Sequence, residues 1–233
     1  IKVSRKLAKE TVLCFIITVL MIMPATGTAL AKIQTTQRII VIDPGHGGTS
    51  TGLVTSGGSK EKNIALKLAQ KTAQKLESHY NVILTRAKDE TISPRERMFT
   101  GNRATADFFL SIHLNNSKKP ASYFYFFNTP EPEKGKATSI ERTWKSQPLF
   151  HQPESRKAVS SFLNIFSARK KTNYVFSNGA PITILEGSTM PAVLIEPLSI
   201  STLPLDPDEI NTVLDEYAIL IAKSIHHYFE IKY

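Results

Sequence analysis

Cysteine is almost absent from this 233-residue chain, which contains only Cys14. A single cysteine excludes a framework of disulfide bonds. Glycine and proline, at 11 and 13 residues, are no more frequent than in ordinary proteins, and 41% of the residues are apolar. These values exclude a collagen-like repeat and a disordered chain, and the length is typical of one globular domain.

Acidic residues are scarce relative to basic ones, at 20 against 29, which gives a formal net charge of +9. A positive charge of this size indicates an anionic partner. Nucleic acid, a membrane surface and an acidic polymer outside the cell all fit this charge, which does not choose among them.

The apolar stretch near the N-terminus is too short to span a membrane. Residues 11–23 carry no charge, but a membrane-spanning helix needs roughly 20 apolar residues. The stretch follows basic residues at positions 2–9 and precedes small residues that end in Ala29-Leu30-Ala31. This order is typical of a secretory signal and argues against an uncleaved membrane anchor. We therefore predict a signal peptide at residues 1–31, cleaved after Ala31.

The predicted exported domain comprises residues 32–233 and contains no cysteine. A domain without a free thiol suits an oxidising compartment, where a thiol can form wrong disulfides. We expect this domain in the periplasm or the extracellular cell wall, without a stable membrane anchor once the signal has been cleaved.

Strands and helices are predicted to alternate along this domain. Runs rich in β-branched and aromatic residues predict six strands, and amphipathic periodicity predicts four helices. The predicted strands are residues 38–43, 81–85, 107–113, 123–127, 181–185 and 192–196, and the predicted helices are residues 61–78, 94–104, 155–171 and 206–229. This alternation predicts an α/β single domain with a twisted, mostly parallel sheet of about six strands flanked by helices on both faces. Residues 128–153 lack periodicity and are predicted to be a surface loop.

Three potential metal ligands and one further carboxylate stand at the ends of these elements. His46 follows the first strand within a Gly-His-Gly-Gly stretch, Glu61 begins a helix, and His113 and Glu196 end later strands. Because the carboxyl ends of parallel strands meet at one edge of a sheet, His46, His113 and Glu196 are expected to converge. Two histidines and one carboxylate leave zinc with an open position for water, which is a common catalytic set.

Each of these residues also has a structural interpretation. A lone histidine at a strand end is often a hydrogen-bonded structural residue, and a glutamate in the first turn of a helix is favoured by the helix dipole. The glycine-rich stretch at residues 45–48 could also suggest a phosphate-binding loop. It lacks the Gly-Lys-Ser/Thr sequence of such a loop, so nucleotide binding is disfavoured.

Five ordered segments resemble the zinc-dependent N-acetylmuramoyl-L-alanine amidases of bacterial cell walls. They are IIVIDPGHGG, GGSKEKNIALKLA, NVILTR, SPRERMFTGNRATADFFLSIHLN and MPAVLIE, and the resemblance extends from about Arg38 to the C-terminus. The resemblance implies that zinc is bound by His46, Glu61 and His113 and that Glu196 is the catalytic carboxylate. Three further residues match the family segments, and we assign them a role in the stability of the fold: Arg86, Arg97 and Asn102.

The activity implied by the resemblance is hydrolysis of the amide bond between N-acetylmuramic acid and L-alanine in peptidoglycan. Zinc would polarise the carbonyl group and activate a water molecule, and Glu196 would take a proton from that water and pass one to the departing nitrogen. Peptidoglycan is the expected partner because a basic domain attracts an anionic wall polymer. We expect a monomer that does not bind nucleic acid.

Two regions depart from the family pattern. After Glu196 the chain reads Pro197-Leu198-Ser199, where family members carry a small residue or leucine and then Gly-Phe, and residues 118–180 match the family poorly. These departures leave open a peptidoglycan-binding pseudoenzyme and an amidase that depends on an activator protein. A zinc peptidase that cleaves within the stem peptide is a further alternative, and only an amidase would free the amine of L-alanine.

Overall fold

The fold is described by a computed structural model, which covers residues 37–55, 57–129, 143–169 and 174–231. The predicted signal peptide, residues 1–31, lies outside the described residues, as do residues 130–142 of the predicted surface loop. By its contacts, the chain from Gln37 to Tyr233 groups as one compact unit.

Strands and helices alternate along the described chain, as the sequence predicts. The strands are β1 (Ile39–Pro44), β2 (Asn81–Leu84), β3 (Phe108–Ile112), β4 (Ala121–Phe127), β5 (Tyr174–Ala180) and β6 (Ala192–Glu196). The α-helices are α1 (Glu61–Leu76), α2 (Pro94–Arg103), α3 (Gln147–Phe150), α4 (Gln152–Ser167) and α5 (Pro207–Ile231). Short 3-10 helices span Trp144–Ser146, Thr183–Leu185 and Ile200–Thr202.

The six strands form one mixed sheet in the order β2-β1-β3-β6-β4-β5. Strand β1 pairs in parallel with β2 and β3, β3 pairs in parallel with β6, and β4 pairs in parallel with β5. Only the pairing of β4 with β6 is antiparallel among the described strands. The predicted mostly parallel sheet is therefore confirmed. Because β1, β3 and β6 are parallel neighbours, their carboxyl ends lie side by side at one edge of the sheet.

Helices pack on both faces of the sheet, as predicted. Helices α1, α4 and α5 cover one face, where Leu68, Phe162 and Ile221 are fully buried. On the other face Met98 of α2 and Leu185 of a 3-10 helix join a second core cluster. The strands in the middle of the sheet are therefore buried on both sides, which explains their continuous apolar runs.

The ends of α1 and α2 bring polar residues to the carboxyl edge of the sheet. Helix α1 begins at Glu61, so this residue lies in the first turn. Helix α2 begins with a capping box, in which the Glu96 backbone N–H donates to Ser93 Oγ at 3.3 Å and the Ser93 backbone N–H donates to Glu96 Oε2 at 2.9 Å.

Two predictions are wrong. The run at residues 181–185 is not a strand: it follows β5 and contains a 3-10 helix at Thr183–Leu185. Its apolar side chains Ile184 and Leu185 are buried in the second core cluster, which explains the apolar pattern without a strand. The strand that precedes β6 is instead β5, whose Ser177-Asn178-Gly179 segment is typical of turns. Part of the predicted surface loop is helical, since residues 144–150 form a 3-10 turn and α3.

None of the helices in the described part of the chain is both long enough and apolar enough to cross a membrane.

Candidate metal centre

Three of the predicted site residues meet at the carboxyl edge of the sheet. One ligand atom from each of His46, Glu61 and His113 lies within 4.8 Å of the others. The Glu61 Oε1 atom is 3.2 Å from His46 Nε2 and 3.1 Å from His113 Nδ1. In the described ranges this is the one cluster of histidine and acidic side chains placed to hold a metal ion.

Glu61 is buried, and the backbone fixes both of its carboxylate oxygens. The N–H of Leu53 donates to Oε2 at 2.9 Å, and the N–H of Leu114 donates to Oε1 at 3.0 Å. Burial opposes ionisation, but the hydrogen bonds with His113, His46 and the two backbone groups together hold the pKa of Glu61 well below its ordinary value. Glu61 is therefore ionised at neutral pH, as a metal ligand must be.

The loop that carries His46 has an unusual backbone that aims the imidazole at Glu61. His46 itself adopts a φ of 59°, a region that non-glycine residues seldom occupy. Its Nδ1 atom lies 2.9 Å from Ser50 Oγ, which leaves Nε2 facing the cluster. A hydrogen bond at the second ring nitrogen is how metal-binding histidines are usually oriented.

Two glycines make room for the three side chains. A side chain at Gly45 would collide with the imidazole of His113. At Gly52 a Cβ atom would lie 2.6 Å from both Glu61 Oε2 and His46 Cδ2, and the φ of +64° at this position also favours glycine. Gly52 is not among the predicted site residues, because no local sequence pattern reveals a position where distant side chains leave no room for a Cβ atom.

The donor set and its spacing fit a zinc ion. With bonds of about 2.0–2.1 Å in a tetrahedral site, neighbouring ligand atoms lie roughly 3.3 Å apart. The distances of 3.2 Å and 3.1 Å from Glu61 Oε1 to the histidine nitrogens are close to that spacing, and all three ligand atoms lie within 4.8 Å of one another. The side chains of His46 and His113 are 26% and 22% exposed, so the cluster can be reached from solvent.

Glu196 lies at the end of β6, next to the end of β3. Strand alternation from Phe109 and Leu194, which belong to the second core cluster, places His113 and Glu196 on the same face of the sheet. Within the described residues, no hydrogen bond reaches the carboxyl group of Glu196. Burial, followed by the negative charge of Glu61, raises the pKa of Glu196 to about 7. A carboxyl group with this pKa can accept and release a proton at neutral pH.

The loop after Glu196 is tied to the loop after β3. Ser199 Oγ donates to the carbonyl oxygen of Ser117 at 2.6 Å, and the Ile200 N–H donates to the carbonyl oxygen of Asn115 at 2.9 Å. The segment that departs from the family pattern is therefore hydrogen-bonded to the loop that follows His113.

Two buried arginines hold the backbone of the loop that carries His46. Arg97 donates to the carbonyl oxygens of Pro44 and His46 and pairs with Asp43 at 2.9 Å. Arg86 donates to the carbonyl oxygen of Pro44 at 3.0 Å. These bonds agree with the structural role expected of both arginines, and they act on the segment that positions a predicted ligand.

Comparisons with known proteins identify similar chains. A family model described as N-acetylmuramoyl-L-alanine amidase matches residues 40–227. The chain is 36% identical over 109 residues to the amidase AmiC of Neisseria meningitidis, which is 45% of this chain and 26% of that protein. It is 30% identical over 176 residues to the sporulation-specific N-acetylmuramoyl-L-alanine amidase of Bacillus subtilis, which is 74% of this chain and 60% of that protein. The chain therefore spans about a quarter of the first of these curated relatives and 60% of the second.

Among solved structures, the amidase AmiC2 of Nostoc punctiforme has a similar fold. The TM-score is 0.59 at 22% sequence identity, and the similarity covers 83% of this chain and 97% of that chain.

Proposed function

Because this chain belongs to the N-acetylmuramoyl-L-alanine amidase family, we propose that it hydrolyses the amide bond between N-acetylmuramic acid and L-alanine in peptidoglycan. The observation that carries the proposal is the convergence of His46 Nε2 and His113 Nδ1 on Glu61 Oε1, at 3.2 Å and 3.1 Å. Glu196, a carboxyl group without a hydrogen-bond partner in the described chain, ends the neighbouring strand on the same face.

Zinc would be held by His46, Glu61 and His113. When bound, zinc polarises an amide carbonyl and lowers the pKa of a bound water molecule toward about 7. Both effects are needed because an amide is a poor electrophile with a poor leaving group. Ser50 fixes the orientation of the His46 ring, and the backbone N–H groups of Leu53 and Leu114 fix the Glu61 carboxylate. The chain thus holds its ligands in place before the metal arrives, which limits the reorganisation needed on binding.

Glu196 would move the protons of the reaction. Hydrolysis requires a base to remove a proton from the attacking water and an acid to protonate the departing amine of L-alanine. The pKa of about 7 allows one carboxyl group to do both in turn near neutral pH. The amide nitrogen leaves as a free amine, and the lactyl carbonyl keeps the oxygen of the attacking water.

Export of the protein is part of the proposal. Peptidoglycan lies outside the cytoplasmic membrane, and the basic, apolar and small-residue segments of residues 1–31 have the order of a secretory signal. The N-terminus of the exported protein should then be Lys32, which N-terminal sequencing would determine.

Isosteric substitution of the proposed base tests the mechanism. We expect Glu196→Gln to retain zinc and to lose at least roughly a hundredfold in peptidoglycan hydrolysis, whereas His113→Ala loses both zinc and activity. The matched control is Glu209→Gln, at an exposed position on α5, which should retain both.

Zinc content and initial rates are measured on the same preparations. Full activity of Glu196→Gln, or stoichiometric zinc in His113→Ala, would contradict the assigned roles. No hydrolysis by the zinc-loaded parent protein would instead favour a pseudoenzyme or an amidase that needs an activator.

A further inference from the structure

One face of β4 carries aromatic side chains that the reaction described above does not use. Tyr123 stands directly opposite Glu196 in the antiparallel pairing of β4 with β6, and Phe176 stands opposite Tyr123 in the pairing of β4 with β5. Tyr125 follows two residues along β4 and points to the same face. We call Tyr125, Tyr123 and Phe176 the aromatic row. Because paired residues on neighbouring strands share a face, the row leads from Glu196 toward the edge of the sheet.

The rings of the row are nearly parallel to one another. The ring centroids of Tyr123 and Phe176 are 5.0 Å apart with an interplanar angle of 17°, and those of Tyr123 and Tyr125 are 6.4 Å apart at 8°. Phe176 is 47% exposed, and both tyrosines are half-buried. The row is therefore ordered by its ring contacts and by the packing of Tyr125 against the second core cluster, and it is open to a ligand at Phe176.

The opposite face of the same strand is packed in the core. Phe124 lies between the two tyrosines in sequence and is fully buried against Phe162 and Phe166 of α4. The face that carries the row is buried only in part, since Ala121 and Phe127 are buried there and Tyr125 packs against the second core cluster, which leaves Tyr123 and Phe176 as its open part. Single exposed apolar side chains are common, but an aligned row that begins at a catalytic carboxyl group is the kind of patch that marks a ligand site.

The proposed substrate places a sugar ring close to this row. The carbonyl group that is attacked belongs to the lactyl substituent of N-acetylmuramic acid, so a pyranose ring lies only a few bonds from the carbonyl carbon at which Glu196 would act. The C–H groups on the face of a pyranose carry partial positive charge and complement the negative face of an aromatic ring. The tyrosine hydroxyl groups can in addition donate to and accept from sugar hydroxyls.

We propose that the aromatic row binds the glycan strand of peptidoglycan by stacking against a sugar ring next to the cleaved bond. This inference rests on the proposed function, because that function brings a sugar to Glu196. The row would then favour amides attached to a glycan over otherwise identical amides without a sugar.

Binding of glycan without peptide tests the row directly. The full chain carrying Glu196→Gln is titrated calorimetrically with peptidoglycan glycan strands from which the stem peptides have been removed. We expect Phe176→Ala to raise the Kd on the order of tenfold, and Phe176→Tyr, which keeps an aromatic ring, to restore binding. Phe150→Ala is the matched control, because Phe150 is 50% exposed but lies outside the row.

Activity provides a second measurement. The kcat/KM for a muramyl peptide is divided by that for a lactoyl peptide, which has the same amide bond without the sugar. We expect Phe176→Ala to lower this ratio on the order of tenfold and Phe150→Ala to leave it unchanged.

The possible outcomes separate this inference from the proposed function. Loss of glycan binding in Phe176→Ala without hydrolysis by any variant would support the row and favour a pseudoenzyme or an amidase that needs an activator. Hydrolysis by the parent chain with equal glycan binding in Phe176→Ala would overturn the row alone. The row is also overturned if Phe176→Ala weakens binding of free stem peptide instead of glycan. Strand β5 is an edge strand and could pair with a second copy of the chain. The glycan-binding role of the row would therefore also be overturned if light scattering showed that the parent chain is a dimer and that Phe176→Ala dissociates it.

Discussion

Replacement of Gly52 by alanine tests whether the described geometry is that of a metal site. A Cβ atom at this position would lie 2.6 Å from Glu61 Oε2 and His46 Cδ2, whereas ordinary van der Waals contacts begin at 3.4 Å. Each of the two contacts must therefore open by roughly 0.8 Å, several times the ±0.2 Å that metal–ligand distances tolerate. We expect Gly52→Ala to weaken zinc binding by about 10- to 100-fold, or about 1.4–2.7 kcal/mol.

Gly58→Ala is a matched control for the strain of the backbone. Gly58 has a φ of +82°, close to the +64° of Gly52, but no atom lies within 4 Å of a Cβ atom placed there. Alanine in this region costs about 1–2 kcal/mol at either position. Both variants should therefore lose similar stability from backbone strain, and only Gly52→Ala should lose affinity for zinc.

The assay combines competition for zinc with a chromogenic chelator and denaturant unfolding of the metal-free proteins. The unfolding data show that each variant is folded before its zinc affinity is compared. Equal zinc affinity in folded Gly52→Ala and Gly58→Ala would refute the reasoning, because the collision with Glu61 and His46 would then have no consequence for the metal.

Two further predictions concern stability. Arg97→Met should destabilise the protein by about 3–5 kcal/mol in denaturant unfolding, because it leaves the buried Asp43 carboxylate without the cation that pairs with it. The control Arg103→Met, at an exposed position, should change the free energy of unfolding by less than about 0.5 kcal/mol. Equal effects of the two substitutions would contradict the role of the buried pair. The pKa of Glu196 in the folded protein, about 7, lies above its ordinary value of 4.5. Between pH 4.5 and pH 7 the folded protein therefore binds more protons than the unfolded chain, and the free energy of unfolding falls as the pH rises through this range. Metal-free Glu196→Gln should therefore gain up to about 3 kcal/mol over the parent between pH 4 and pH 8 in urea unfolding, and a pH-independent difference would contradict the raised pKa.

The convergence of the candidate ligands could be predicted because it depends on simple rules. His46 and His113 each follow a strand with a strong apolar pattern, and parallel strands bring such ends together. The amphipathic periodicity of α1 places Glu61 in the first turn of a helix, but its role as a third ligand was implied only by the family resemblance. These are local signals, and the order of parallel strands in the sheet brings the two histidines close together.

Other features depend on contacts that leave no local signal. Strand β5 was missed because its exposed edge position requires no apolar alternation, and residues 181–185 were misassigned because apolar side chains are buried equally well by a 3-10 helix. The importance of Gly52 arises only when residues 46 and 61 approach it in the folded chain. The aromatic row likewise depends on the register of β4 with β6, and a sequence pattern does not specify that register.

The most direct test of the account is the identity of the ends released from peptidoglycan. Purified peptidoglycan is incubated with the zinc-loaded predicted exported domain, residues 32–233, with and without a chelator, and the new amino termini are labelled and identified by mass spectrometry. We predict zinc-dependent release of peptides that begin with L-alanine, together with glycan strands whose lactyl groups end in free carboxylates. New amino termini within the stem peptide, with the bond between the lactyl group and L-alanine intact, would contradict it.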